Sequence, residues 1–146
     1  MKKIISSAVL LTVLVGAVTM IVGCGEKPTK ESVWSNPHSP DTVNTPKVIA
    51  FHSDGCLYVT RVKTAGNPVV LETVRAGKYS INAASKTITI SDYTTGTKLA
   101  TLDYTDNQDI LKITKSTDTT NFPIMTLKKN PNVSAEDLKK VAKLTP

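Results

Sequence analysis

The sequence predicts an all-β fold: an antiparallel meander closing into a barrel or sandwich, followed by one short C-terminal helix. Three observations carry this. From Lys47 onward, apolar residues recur with a period of 2 in short runs. Turn residues separate nearly every pair of runs, and no helix-length pattern alternates with them. The chain also holds 21 threonines, whose branched side chains favour strand over helix.

The N-terminus stands apart from this pattern. Met1-Lys2-Lys3 is followed by an apolar run from Ile4 to Gly23, with small residues toward its end. A cationic start and an apolar stretch read as a secretory signal. The run is also long enough to cross a bilayer, so an uncleaved membrane anchor is the alternative. Either reading places the remainder outside the cytoplasmic membrane. Residues 25–46 are polar and carry Pro28, Pro37, Pro40 and Pro46, which stiffen a chain and interrupt pairing. The first part of this stretch reads as a tether. Trp34 is costly to leave in water and marks where folded structure begins, as a candidate first strand.

The barrel proper is expected over 47–129. Ile49 and Phe51 alternate with Val48, Ala50 and His52. Ser53-Asp54-Gly55 supplies a hairpin turn, because Gly55 tolerates positive φ. Cys56, Tyr58, Thr60 and Val62 then share one face; Leu57, Val59, Arg61 and Lys63 share the other. Asn67-Pro68 breaks this run. Val69–Arg75 is a further strand, turned at Ala76-Gly77 into Lys78–Asn82, where Tyr79 and Ile81 are in phase. Lys86–Asp92 carries Ile88 and Ile90 on one face. After Thr95-Gly96, Lys98–Thr105 aligns Ala100, Leu102 and Tyr104. Asp109–Lys115 aligns Leu111 and Ile113, and Phe122–Lys129 follows, with Pro123 at a strand start or edge.

Residues 130–146 change character. Asn130-Pro131-Asn132 ends the last strand. Ser134 is a helix N-cap with Asp137 three residues on, and Val133 and Leu138 stand as a hydrophobic staple. Leu138, Val141 and Ala142 form an apolar stripe, with Lys139, Lys140 and Lys143 toward the negative end of the helix dipole. So short a helix is marginal alone and must pack on the barrel.

Composition narrows the chemistry. The formal charge is +6, and loss of Lys2 and Lys3 with a signal leaves a mature charge of +4. The lysines are scattered, with the densest clusters at Lys128-Lys129 and Lys139-Lys140. No basic stripe interleaved with aromatics is present, which argues against nucleic-acid binding. Cys56 is the sole cysteine beyond Cys24, so a mature exported domain has no internal disulfide. Cys56 reads as a small apolar strand residue; a metal site with His52 and His38, or a dimeric disulfide, is the competing reading. A Cys56–His52 nucleophilic pair lacks an orienting third group and an oxyanion site. Asp92, Asp103, Asp106 and Asp109 sit beside turns as solvated acids rather than as a paired-carboxylate site. The Asp103 and Asp106-Asn107 spacing does not make a calcium loop, and the seven glycines are single and do not cradle phosphate. No cofactor is expected.

Two resemblances add to this reading. Ile21-Val22-Gly23-Cys24, after the cationic start and apolar run, resembles the cleavage site of bacterial lipoprotein precursors. The resemblance implies cleavage before Cys24, with lipid on its sulfur and amine, and hence a cell-envelope location. Gly25 rather than Asp after that Cys implies the outer membrane where a bacterium has one, and otherwise the outer face of the cytoplasmic membrane. Separately, Trp34, then Phe51-x-x-Asp54-Gly55, Gly77-Lys78-Tyr79, Thr87-Ile88-Thr89-Ile90 and Leu127-Lys128-Lys129, in that order, resemble the small lipocalin-like bacterial lipoproteins. That resemblance covers about residues 32–129. It implies an up-and-down barrel of about eight strands with Trp34 plugging one end.

The resulting expectation is a non-catalytic, membrane-anchored barrel that binds a small apolar molecule or an envelope partner. A ligand cavity would be lined by Phe51, Tyr58, Tyr79, Ile88, Ile90, Leu102 and Tyr104, provided the aromatic-bearing faces point inward. The alternative is a structural or interaction module whose barrel is solid, with an envelope enzyme as the third and least favoured reading.

Overall fold

A computed structural model describes residues 31–142. The signal segment, Cys24 and the start of the tether lie outside the described residues. Eight strands follow in order: β1 (Ser32–Ser35), β2 (Pro46–Phe51), β3 (Cys56–Thr64), β4 (Val70–Asn82), β5 (Thr87–Ser91), β6 (Lys98–Asn107), β7 (Ile110–Ser116) and β8 (Met125–Lys129). A short helix, α1 (Ala135–Val141), ends the fold. Every strand pairs antiparallel with its sequence neighbours, and β1 pairs with β8, so the meander closes into a barrel. Closure leaves no unpaired sheet edge, which removes the aggregation hazard of an open meander.

Trp34 sits in β1, so the first strand lies in the polar stretch rather than after it. Its indole N–H donates to Ser32 Oγ at 3.0 Å, satisfying the one polar atom of a buried ring. Asn36 to Thr45 is the β1–β2 connection rather than tether. It is fastened by the Asn36 N–H to Lys47 O bond at 2.8 Å and by reciprocal contacts of Asn44 and Thr45 with Val62. Its two prolines, Pro37 and Pro40, are compatible with this, because the backbone bonds that fix the loop use other residues.

Ala76-Gly77, expected as a turn, lies inside one continuous strand. Here β4 does not turn but bulges: Leu57 faces Gly77 while Tyr58 faces Arg75, so one extra residue is accommodated. Gly77 has φ +146°, a region open chiefly to glycine. A Cβ there would press into the carbonyl oxygen of Ser91 on the neighbouring strand. The glycine therefore serves the close approach of β4 and β5.

The core is two-sided. Inside lie Trp34, Ile49, Phe51, Leu57, Val59, Ile88, Ile90, Ala100, Leu102, Tyr104, Leu111, Ile113, Phe122, Met125 and Leu127. A second cluster joins Val33, Ala50, Cys56 and Tyr58 to Ala135 and Leu138 of α1. Alternate residues of β1, β2 and β3 thus supply the two clusters, and α1 covers the outer wall of β2, β3 and β4. Ser134 caps the helix, its Oγ accepting the Asp137 N–H at 3.1 Å, and Val133 packs against the same outer cluster.

Candidate functional site

The barrel interior is the first place to look for a ligand. Ile88, Ile90, Leu111 and Leu127 are each 0% exposed, Tyr104 is 1% and Phe51 is 2%. A water-sized void beside these side chains would register as exposed surface on them. They are instead closed by one another. Phe51 meets Tyr79 edge-to-face, with ring centroids 5.0 Å apart, a favoured aromatic geometry. The Tyr79 hydroxyl donates to His52 O at 3.0 Å, which stitches β4 to the hairpin. Burial pushes the Tyr79 hydroxyl pKa up to about 12.

The structure brings six of the seven sequence-chosen residues together in or against the interior: Phe51, Tyr79, Ile88, Ile90, Leu102 and Tyr104. Tyr58 does not join them. It lies on the outer wall beneath α1. The reason is register. Phe51 pairs with Leu57 and Ala50 with Tyr58. Directly opposed residues share a face, so an inward Phe51 puts Leu57 inside and Tyr58 outside. The aromatic-face assumption is therefore incorrect for β3, where both faces are buried.

The outer cluster carries the most organised polar chemistry in the described residues. Asp54, in the β2–β3 hairpin, accepts the Cys56 N–H at 2.8 Å through Oδ1 and the Tyr58 hydroxyl at 2.9 Å through Oδ2. Lys139 Nζ of α1 stands 3.2 Å from Oδ2. Burial raises the Asp54 carboxyl pKa, but the Cys56, Tyr58 and Lys139 hydrogen bonds outweigh it and bring the value to about 2. His52 is buried, and its Nδ1 accepts the Asp54 N–H at 3.1 Å. Nδ1 also lies 3.0 Å from Asp54 Oδ1, and Nε2 stands 2.7 Å from Glu136 Oε2. Burial raises the Cys56 thiol pKa, and the Asp54 charge adds to the shift. The group thus joins three segments of chain: hairpin, strand and helix.

This arrangement accounts for several residues weighed from sequence. Both His52 ring nitrogens are engaged by Asp54 and Glu136. His38 belongs to the β1–β2 loop, at the opposite end of the barrel from the His52 hairpin. Among the described residues, no group of three or more His, Cys, Asp or Glu is placed to hold a metal ion. Asp92 caps its own turn through the Thr94 and Thr95 N–H groups, and Asp106 is paired with Lys86 at 2.7 Å.

One surface feature was missed by sequence reasoning. An open depression of about 610 Å³ lies at the His38 end, lined by residues that include Asn36, Val43, Thr45, Ile124 and Met125. Ile124 is 64% exposed there. Its signal is present in retrospect: Ile124 is out of phase with Met125 and Leu127, and Val43 is a lone apolar residue in a polar loop. None of the seven sequence-chosen residues lines this depression. Comparison with protein-family models, curated proteins and solved structures gives no match.

Proposed function

We propose that this chain is a surface-tethered interaction module: a solid eight-stranded barrel, held to a bilayer by lipid on Cys24, that acts through its outer surface rather than through a ligand cavity or catalysis. The observation that carries the reading is the complete burial of Ile88, Ile90, Leu111 and Leu127, which supports a solid interior. A small-molecule pocket needs concave, accessible space. The engagement of His52 by Glu136 and Asp54 supports a structural role for the only imidazole near the free thiol. The anchor rests on Ile21-Val22-Gly23-Cys24 behind a cationic, apolar leader.

Two measurements test the reading. Radiolabelled fatty acid should enter the intact chain and not a Cys24→Ala variant; labelling of the variant refutes the anchor. Solvent extraction of the purified protein, followed by mass spectrometry, should release no stoichiometric small apolar molecule beyond the covalent lipid. A co-purified ligand at about one per barrel would restore the cavity reading.

A further inference from the structure

Strands β7 and β8 hold Lys112, Lys115, Lys128 and Lys129 and no carboxylate. Leu111, Ile113, Met125 and Leu127 point into the core. The intervening Ile110, Lys112, Thr126 and Lys128 therefore face outward, with Lys128 opposite Ile110 and Lys112 opposite Thr126. Ile110 is 41% exposed amid these lysines. The contrast with the α1 side is plain. There the carboxylates are interspersed with cations and consumed, as in His52–Glu136 and Lys139–Asp54. The carboxylates bordering the β7–β8 wall are Asp103 and Asp106 of β6 and Asp109 of the following turn. Asp106 is already paired with Lys86.

The strand that follows the tether borders this wall: in β1, Trp34 pairs with Lys129 and Ser35 with Lys128 of β8, while Glu31, where the tether meets the barrel, accepts the Ser53 N–H of the β2–β3 hairpin at 3.1 Å. From Cys24 to Glu31 the chain reaches at most about 25 Å even when fully extended. Lys27 and Lys30 stand in that stretch against Glu26 and Glu31, so the tether itself is charge-balanced and the attraction must come from the wall. A barrel on so short a leash cannot leave the electrostatic field of its own membrane by more than a few screening lengths.

We propose that the β7–β8 wall docks on the headgroups of the anionic bilayer that holds the lipid, with Ile110 at the contact. The barrel is thereby laid on its side, and the wall under α1 faces outward. This rests on the Cys24 anchor proposed above. Each lysine near such a surface favours docking by about fivefold, and the attraction weakens as salt shortens the screening length from about 10 Å at 0.1 M to about 3 Å at 1 M.

The test uses the full lipidated protein, purified from membranes and reconstituted into vesicles of phosphatidylcholine with or without phosphatidylglycerol. Amine acetylation is read lysine by lysine. In the anionic vesicles, acetylation of Lys112 and Lys128 should fall at least about threefold relative to Lys63 and Lys78. Vesicles of phosphatidylcholine alone should give no such difference, and high salt should restore labelling without any substitution. In K112E/K128E, protection of Lys115, which shares the outward face with Asp103, should also be lost. Equal labelling in the two vesicle types overturns the docking. So does protection by a soluble polyanion with none by vesicles, which would assign the wall to a soluble acidic partner. Intact mass separates the two readings: an acylated but unprotected protein sinks the docking alone, whereas a chain without acyl mass sinks the anchor and the docking with it.

Discussion

Asp54 concentrates more of the fold's polar bonding than any other side chain described. It terminates the β2–β3 hairpin, receives the Tyr58 hydroxyl and pairs with Lys139 of the helix. Its folded pKa of about 2 lies below the ordinary aspartate value of 3.8. A depressed carboxyl stabilises the fold above its unfolded pKa, and that contribution is lost as pH falls through the folded value. Partial exposure of the side chain brings the contribution to about 1 kcal/mol after solvent screening. An Asp54→Asn variant should therefore lose stability at neutral pH. Its acid-unfolding curve should be flatter than that of the parent between about pH 4 and pH 2. Parallel curves in urea titrations at stepped pH would contradict this. Gly77 makes the complementary backbone case. Gly77→Ala meets both a positive φ and the Ser91 carbonyl, and should cost about 1–3 kcal/mol, read as a shift of the urea midpoint. Neither residue's importance was legible from sequence. Asp54 read as turn chemistry and Gly77 as a turn glycine, because a bulge and a cross-strand carbonyl are properties of the neighbouring strand.

At the scale of elements, α1 is the feature whose existence was readable and whose partner was not. Ser134, Asp137, Val133 and Leu138 gave the cap and staple locally. That the helix covers β2, β3 and β4 follows from where the last strand delivers the chain. Leu138 and Ala135 close over Cys56 and Tyr58, so the thiol is shielded and its pKa raised. Leu138→Ala should cost about 2 kcal/mol or more and should speed labelling of Cys56 by a thiol reagent under native conditions. Labelling at the parent rate would mean that α1 is not the gate. Ser134→Ala should cost about 1 kcal/mol by removing the acceptor for the Asp137 N–H, measurable as a lowered thermal midpoint. The β3 strand shows where pattern reading stops. Its two faces were separated correctly, Cys56 and Tyr58 from Leu57 and Val59, but alternation alone does not say which is inside when both are apolar.

At the scale of the whole molecule, one continuous interior runs from Trp34 in the first strand to Leu127 in the last. Trp34 is the only tryptophan in the chain, so its fluorescence reports the closing seam. The β1–β8 seam has two registered pairs, Trp34 with Lys129 and Ser35 with Lys128. Because the Trp34 ring shares its cluster with the residues of β5, β6 and β7, seam and barrel should unfold together. The fluorescence and far-ultraviolet circular dichroism transitions in urea should coincide. A fluorescence change that leads would show the seam opening by itself.

The sequence by itself determined the class of fold, the approximate extent of the strands other than β4, the position of α1 and a leader resembling that of a lipoprotein precursor. These are local facts: a period of 2, turn residues at the breaks, a cap with its staple, and a short motif behind an apolar run. Only the tertiary structure decided that the polar stretch after Trp34 is a loop, that Tyr58 belongs outside, and that Ile88, Ile90, Leu111 and Leu127 are wholly buried. Each of those depends on which residues of distant strands meet. Register fixes face, closure fixes interior volume, and the side chains of several strands together either leave a void or do not.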